Sequence, residues 1–525
     1  MWRRLLMLMQ LTCSRCRGTS RGGGRGGLDR GRGGCRSPIS SALRGNFEGC
    51  RLSSGPPRPS RRPPVDGCAA CATACGSRMT RARTSRGSRA LLEAAYDDLG
   101  FSKGALLSPS QSPSAVGGAA WQSLGEWLML GSRVGADRIF FVGDDPVVVF
   151  TELPRGAGEL EVVAAYKRAW SLGRARCLFL ASESELRVYA LTSPPPRGPE
   201  DARELTPLDV VERSADVVEM LASYHRERVE SGALFEETPF RLDGRADDLL
   251  LRDVASATEA LVGSGLPRRV AHGLIERVIL IRYMEDREIV VPTYVHEIAN
   301  RDSGWQARIS SESLMPTYGT ESAFVRCLGD RELTYAVFAA LAEDFNGDMF
   351  TVPDVESELV SENHLRLIQR LLTGGGFTAQ EPLFLWAYDF SVVPVGLISS
   401  MYEQFYRTTS NDQSSTHYTP QELVEYVTSQ VLTDECLTSS PRACDPACGS
   451  GIFLVEAYRR MVRHEMAERQ KRLSTSRLRH LLLTRISGVD INSEAIRLAA
   501  PLASILHFLA TSPRVTSAEQ DRYQD

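Results

Sequence analysis

Apolar and polar positions fall into regular periods from about Ala90 onward and show none before it. Four short β-branched or aromatic runs read as strands: Arg138–Val142, Val147–Glu152, Cys177–Ser182 and Leu186–Leu191. Between the second and third, Leu160–Leu172 has helical spacing, and a Pro194-Pro195-Pro196 run then marks a break. From about Ala202 to Arg407 the pattern is mostly helical. Leu274, Val278 and Ile281 share one face of a helix that ends at Arg282-Tyr-Met-Glu-Asp286, and Leu333, Val337, Phe338 and Leu341 form a second stripe. Such stripes predict core contacts rather than function. The polar linker Thr409-Ser-Asn-Asp-Gln-Ser-Ser415 opens a third section. The expected organisation is a disordered tail over 1–90, a small α/β module over 91–200, a helical domain over 201–408 and a further α/β unit over 409–525.

Composition changes this picture mainly at the start. Residues 1–78 hold fifteen Arg, no Lys and three acids, a net of +12, so the rest of the chain carries −16. The bulk of the protein is therefore not a broad polyanion binder, and contact with DNA requires a local cationic patch. Fourteen Gly precede Met79, and so polar a stretch cannot repay the entropy of ordering. Met79, where the composition turns ordinary, is an alternative start. The basic and apolar opening Met1–Met9 superficially resembles an export or organelle signal, but no clean small-residue cleavage site follows. Seven of the twelve Cys lie in the first 75 residues. Cys13/Cys16 and Cys68/Cys71 have CxxC spacing, yet the Gly, Arg, Ser and Pro between them offer little to pack around zinc. The five later Cys are scattered, as in a reduced cytoplasmic protein. No stretch reaches membrane-spanning length.

The sharpest motif is Cys444-Asp445-Pro446-Ala447-Cys448-Gly449-Ser450-Gly451-Ile452-Phe453-Leu454. A strand is expected to end near Asp445 and a helix to begin after Gly451. The two glycines permit a tight turn and close approach of backbone to ligand, and the helix start offers free N–H groups and a positive dipole end. Asp445, at the strand's carboxyl edge, suits the ammonium of a bound amino acid. Downstream, Ile486-Ser-Gly-Val-Asp490-Ile-Asn492 reads as a strand, an acid and a helix capped by Asn492 or Ser493. A carboxylate there has two acceptor oxygens for the hydroxyls of a ribose, and with one intervening helix it completes a βαβ half-site. Upstream, Thr419 as N-cap, Pro420 at the first helical position and Glu422 three residues on predict a capping box.

Together these pieces resemble the adenine-N6 DNA methyltransferases, in the arrangement of type I modification subunits and fused type IIG restriction–modification enzymes. The resemblance extends to Glu276–Glu288, Phe345–Phe350, Trp386–Ser391 and Val393–Phe405. It implies a partial Rossmann-like fold over 409–525 that binds S-adenosylmethionine (SAM). Tyr418, Thr419 and Pro420 would flank the cofactor, Asp445, Pro446 and the loop Ala447, Cys448, Gly449, Ser450, Gly451 would hold its methionine end, and Asp490 its ribose. Double-stranded DNA and other restriction–modification subunits are the implied partners. Some fused relatives carry a nuclease-like module at the N-terminal side. Here Asp145, Glu152 and Lys167 are the candidates, but the lysine expected two residues beyond the strand acid is replaced in Glu152-Leu153-Pro154. That makes a degenerate or structural module the expectation.

In this family the Asn/Asp-Pro-Pro-aromatic motif orients the adenine amine and stacks on the flipped base. The sequence contains no such tetrapeptide, and it runs 35 residues past Asp490. The expectation is a truncated methyltransferase with no catalytic residue of its own and no metal, inactive alone. A non-catalytic SAM- or DNA-binding assembly protein and a methyltransferase of RNA or protein are the alternatives. Arg459, Arg460, Arg463, Lys471, Arg472, Arg477 and Arg479 are candidates for phosphate contact or for a solvated helix face.

Overall fold

The computed structural model describes residues 86–196, 204–240, 244–301, 304–305, 322–344, 350–373, 387–394, 396–398, 419–449, 451–471 and 473–491. The cysteine pairs near the start lie outside these residues, as do the 409–415 linker, Tyr418, Ser450 and the Asn492/Ser493 cap.

Helix α1 (Arg86–Asp98) begins inside the stretch expected to be disordered. It is followed by β1 (Ala105–Leu107), α2 (Gly118–Val134), β2 (Ala136–Val142), β3 (Asp145–Glu152), α3 (Glu159–Ser171), β4 (Cys177–Ala181), β5 (Leu186–Ala190) and β6 (Asp209–Val211). The six strands form one sheet in sequence order. All neighbours are antiparallel except β3 and β4, which run parallel with α3 as their crossover. The four apolar runs and the helix between them stand where the pattern placed them. Strand β6 lies past the triple proline, where the spacing suggested helices.

Alternation along these strands sends side chains to two dry faces. On one, Phe140, Phe150 and Phe179 meet Phe101, with ring centroids 4.9, 5.2 and 6.1 Å from it. This face is covered by Leu91, Leu92 and Ala95 of α1. The other presents Ile139, Phe141, Val149, Leu178 and Leu180 to α2 and α3. Helix α2 can lie close only because Gly131 has no side chain: a Cβ there would stand 2.4 Å from Ile139. Each fully buried large side chain contributes about 1.5–3 kcal/mol.

The second face continues without interruption into the helical section. Helices α4 (Ala246–Gly263), α5 (Arg268–Asp286), α6 (Pro292–Ala299), α7 (Arg331–Asp344) and α8 (Glu362–Thr373) join the same apolar cluster. Leu274, Val278 and Ile281 are buried as the stripe predicts, but so are Ile275, Ile279 and Leu280. Helix α5 is thus enclosed on most sides rather than amphipathic. Its C-terminal end and residues 387–393, two of the stretches that carried the family resemblance, meet in one polar joint. Arg282 pairs with Glu285 and Asp286 at 2.7 and 2.6 Å. Asp286 accepts the Phe390 N–H at 3.0 Å. Arg287 donates to the carbonyls of Phe390 and Val393.

The last described section holds α9 (Gln421–Val431), β7 (Ala443–Asp445), α10 (Ile452–Arg469), α11 (Thr475–Arg485) and β8 (Ile486–Gly488). Strands β7 and β8 are parallel, in the register Ala443↔Ile486, Cys444↔Ser487, Asp445↔Gly488. Two helices connect them, where one was expected. Among the described residues no helix is long and apolar enough to cross a membrane.

Candidate functional site

Strand β7 stops at Asp445 and α10 starts at Ile452, so the glycine-rich stretch is the turn between them. Gly449 and Gly451 sit at φ +52° and +86°, left-handed values that disfavour any side chain. Gly451 is the N-cap of α10 and no side chain caps the helix. A Cβ built on Gly449 would meet nothing within 4 Å, so open space faces the turn.

Strand β8 runs alongside and its extension is stitched to the turn. Val489 N–H donates to the Asp445 carbonyl at 2.9 Å, and Cys448 N–H to the Val489 carbonyl at 3.0 Å. Asp490, two residues past β8, accepts the Gly449 N–H on Oδ2 at 2.7 Å. Asp445 accepts the Ala447 N–H on Oδ1 at 3.1 Å. Burial pushes the Asp445 pKa up; the Ala447 hydrogen bond opposes this and the Asp490 carboxylate adds to it. Among the described residues no Lys or Arg pairs with Asp445.

Of the residues singled out by sequence, the fold therefore assembles Asp445, Pro446, Ala447, Cys448, Gly449, Gly451 and Asp490 around one turn. Pro446 and Ala447 are exposed, while Cys448 and Gly451 are buried. Burial raises the Cys448 thiol to about 11, so it stays protonated at neutral pH and packs rather than attacks. Gly488 escaped the sequence reading. A Cβ on it would lie 2.5 Å from Leu454 and 3.0 Å from the Cys448 sulfur, so only glycine lets β8 approach the turn. Its sole signal was its place two residues before Asp490.

Thr419 and Pro420 lie at the start of α9, but no hydrogen bond among the described residues ties them to the turn. The capping box is not formed. Helix α9 starts at Gln421 with Pro420 as N-cap and no side-chain cap. Glu422 instead reaches Arg174, 3.3 Å away, which also holds Asp145 and Glu425. The stronger use of Glu422 is charge pairing with an arginine 248 positions earlier in the chain, which local spacing cannot reveal.

The basic residues after the turn are also corrected. Arg459, Arg460 and Arg463 do not form a solvated face: Arg460 and Arg463 are buried and the Arg459 side chain is only 13 % exposed, where α10 packs on α2. Arg459 pairs with Glu126 of α2. Arg463 pairs with Glu456 at 2.6 Å and lies 3.9 Å from Glu126. Arg477 pairs with Glu465 at 2.7 Å, Lys471 and Arg479 are exposed, and Arg472 lies outside the described residues.

The nuclease candidates do not converge. Asp145 pairs with Arg174, Glu152 accepts from Ser88 Oγ at 2.6 Å, and Lys167 is half-buried near Asp389 and Asp286. Among the described residues no three His, Cys, Asp or Glu side chains form a metal-binding group.

Residues 434–519 match the family model of the MmeI DNA-methyltransferase domain, a stretch that starts before β7 and runs past Asp490. This supports a DNA-methyltransferase family of restriction–modification type, with DNA as the substrate and a methyl donor as the co-substrate. No curated protein and no solved structure matches the chain.

Proposed function

We propose that the β7–turn–α10 unit and Asp490 form the SAM-binding half-site of an adenine-N6 DNA methyltransferase from a restriction–modification or phage-defence system, acting on double-stranded DNA. The observation that carries this reading is the meeting of two carboxylates, Asp445 and Asp490, across a glycine turn at the carboxyl edge of two parallel strands. That edge is where open α/β sheets bind ligands.

The donor set suits the cofactor. Asp445 is a buried carboxylate with a raised pKa and no described cationic partner, a site that gains from an ammonium ion. The space facing Gly449 admits the methionine portion against bare backbone. The start of α10 supplies main-chain N–H groups toward its carboxylate. Asp490, tied to Gly449, would turn toward the ribose hydroxyls, with Tyr418, Thr419 and Pro420 flanking. SAM supplies the electrophilic methyl; these residues bind and orient it. The residues that would grip adenine, an Asn/Asp-Pro-Pro-aromatic run, are not in the sequence. We accordingly expect this chain alone to bind SAM without methylating DNA.

Titration calorimetry with SAM tests the assignment. Saturable binding is expected, lost or weakened at least tenfold in Asp490→Ala and in Asp445→Ala. No heat with the native chain, or affinity unchanged by Asp490→Ala, overturns the half-site. Transfer of labelled methyl to duplex DNA by the 525-residue chain overturns the expectation of inactivity and leaves the cofactor assignment standing.

A further inference from the structure

A DNA-directed protein whose residues beyond position 78 carry −16 needs a local cationic surface to meet phosphates. Arg459 and Arg463 after the turn are already paired, with Glu126 and Glu456. A cavity of about 500 Å³ opens between the C-terminal end of α4 and the N-terminal end of α8. Its polar lining is Ser264, Ser361, Asn363, His364, Arg366 and Arg370, with Leu367 as its apolar wall. It contains two guanidinium groups and no carboxylate.

The cavity is built rather than incidental. Ser361 precedes α8, and its N–H donates to His364 Nδ1 at 3.0 Å, with its Oγ 3.1 Å from the same nitrogen. Because Nδ1 accepts, Nε2 carries the proton and faces the Ser264 carbonyl at 3.3 Å. His364 thereby locks the end of α4 to the start of α8 and forms the floor. Arg366 and Arg370 stand four residues apart on α8, on one helix face and about 6 Å apart along the axis. Both are exposed. Among the described residues Arg366 has one loose, exposed acidic partner, Glu362 at 3.7 Å, a kind of pair that contributes little and yields readily. Among the described residues Arg370 has no acidic partner.

We propose that this cleft is a phosphodiester-binding site on the helical section, in which Arg366 and Arg370 clamp the backbone of double-stranded DNA. The proposal rests on the reading of DNA as substrate, but not on the SAM half-site. The arginines position the duplex and read no sequence, because phosphates carry none. A planar, permanently charged guanidinium suits the task through bidentate contact with phosphate oxygens.

The test is fluorescence anisotropy of a labelled random-sequence duplex with the full chain, across a salt series. The proteins are the native chain, Arg366→Ala/Arg370→Ala, Arg370→Glu and, as a control, Arg213→Ala, an arginine exposed elsewhere. Each phosphate neutralised contributes about −0.9 to the slope of log affinity against log salt. The double variant should bind more weakly at low salt, with a slope shallower by about 1–2, Arg370→Glu should bind at least as weakly, and the control should match the native chain. Comparing slopes separates the cleft from the +12 of residues 1–78, which all four proteins share. Identical slopes and affinities overturn the proposal, as does a native chain that binds no duplex. So does a stronger, arginine-dependent preference for single-stranded RNA, or arginine-dependent heat with inorganic phosphate that leaves duplex binding unchanged. Because SAM calorimetry is independent, SAM binding without duplex binding sinks only the cleft. Arginine-dependent duplex binding without SAM binding sinks only the half-site.

Discussion

The six-stranded sheet and the β7–β8 pair both place carboxylates at strand ends, and they satisfy them with different donors. In the first sheet Glu152 takes the hydroxyl of Ser88, and Asp137 is held by Arg89 and by the Tyr96 hydroxyl, each at 2.8 Å. All three donors come from one helix, α1. Burial and the neighbouring Asp137 push the Tyr96 pKa up, so the phenol remains a donor. At the second site the described donor to Asp445 is the main-chain N–H of Ala447 in the turn. A carboxylate closed by guanidinium and phenol has its charge answered within the fold. One answered only by amides keeps its charge uncompensated and favours a cation from outside. The same residue type thus has a cationic partner at Asp137 and no described one at Asp445.

The largest effect is expected where the two regions touch. Glu126 of α2 faces Arg459 and Arg463 of α10 at a joint where every side chain is at most 14 % exposed. Glu126→Ala leaves two buried guanidinium groups short of a carboxylate, and breaking such a pair costs about 3–5 kcal/mol. Denaturant unfolding should register that loss. A change below about 1 kcal/mol would show that the two regions are held together by apolar contacts alone. Next in size is Tyr96→Phe, which removes one of the two described donors to Asp137. A hydrogen bond to a charged group is worth about 1.5–3 kcal/mol, and the remaining Arg89 contact should keep the loss near the lower end. SAM affinity should not move. A fall in affinity would mean that the first sheet's acids serve the ligand too, and the contrast between the regions would fail.

How far the sequence reveals this depends on the range of the interaction. The aromatic and β-branched runs of β2 to β5 were legible because each strand carries its own alternation. Strands β1 and β6 have three residues each, too few to show a period, and gain their order from the neighbouring strand. Helix α2 contains Gly118, Gly125 and Gly131, residues that weaken a helical pattern. In the fold Gly131 gives room to Ile139, and Gly125 lies against Trp121 and Arg463. The glycine turn was legible because its demands are local: positive φ, a strand before, a helix after. The roles of Arg459 and Arg463 were not, since Glu126 lies more than 300 residues away in the chain. Charge in a sequence says nothing of burial.

The smallest effect has the opposite sign and probes the comparison most directly. Burial first, and then the neighbouring Asp490, raise the Asp445 pKa above the ordinary 3.8. A carboxyl whose pKa is higher folded than unfolded binds its proton more tightly in the folded state. Between those two values stability falls as pH rises, and above the folded value the penalty is complete. Asp445→Asn keeps an oxygen to accept the Ala447 N–H but removes the charge. The variant should therefore be slightly more stable than the native chain at neutral pH when no ligand is bound, and the gap should close as pH drops below the ordinary carboxyl range. With SAM present the order should reverse, because the native carboxylate gains an ammonium partner that asparagine cannot match. Thermal melts at pH 3.5 and pH 7, with and without SAM, separate these cases. A variant less stable than the native chain at pH 7 without SAM would mean that a cation within the fold already answers Asp445, as Arg89 answers Asp137.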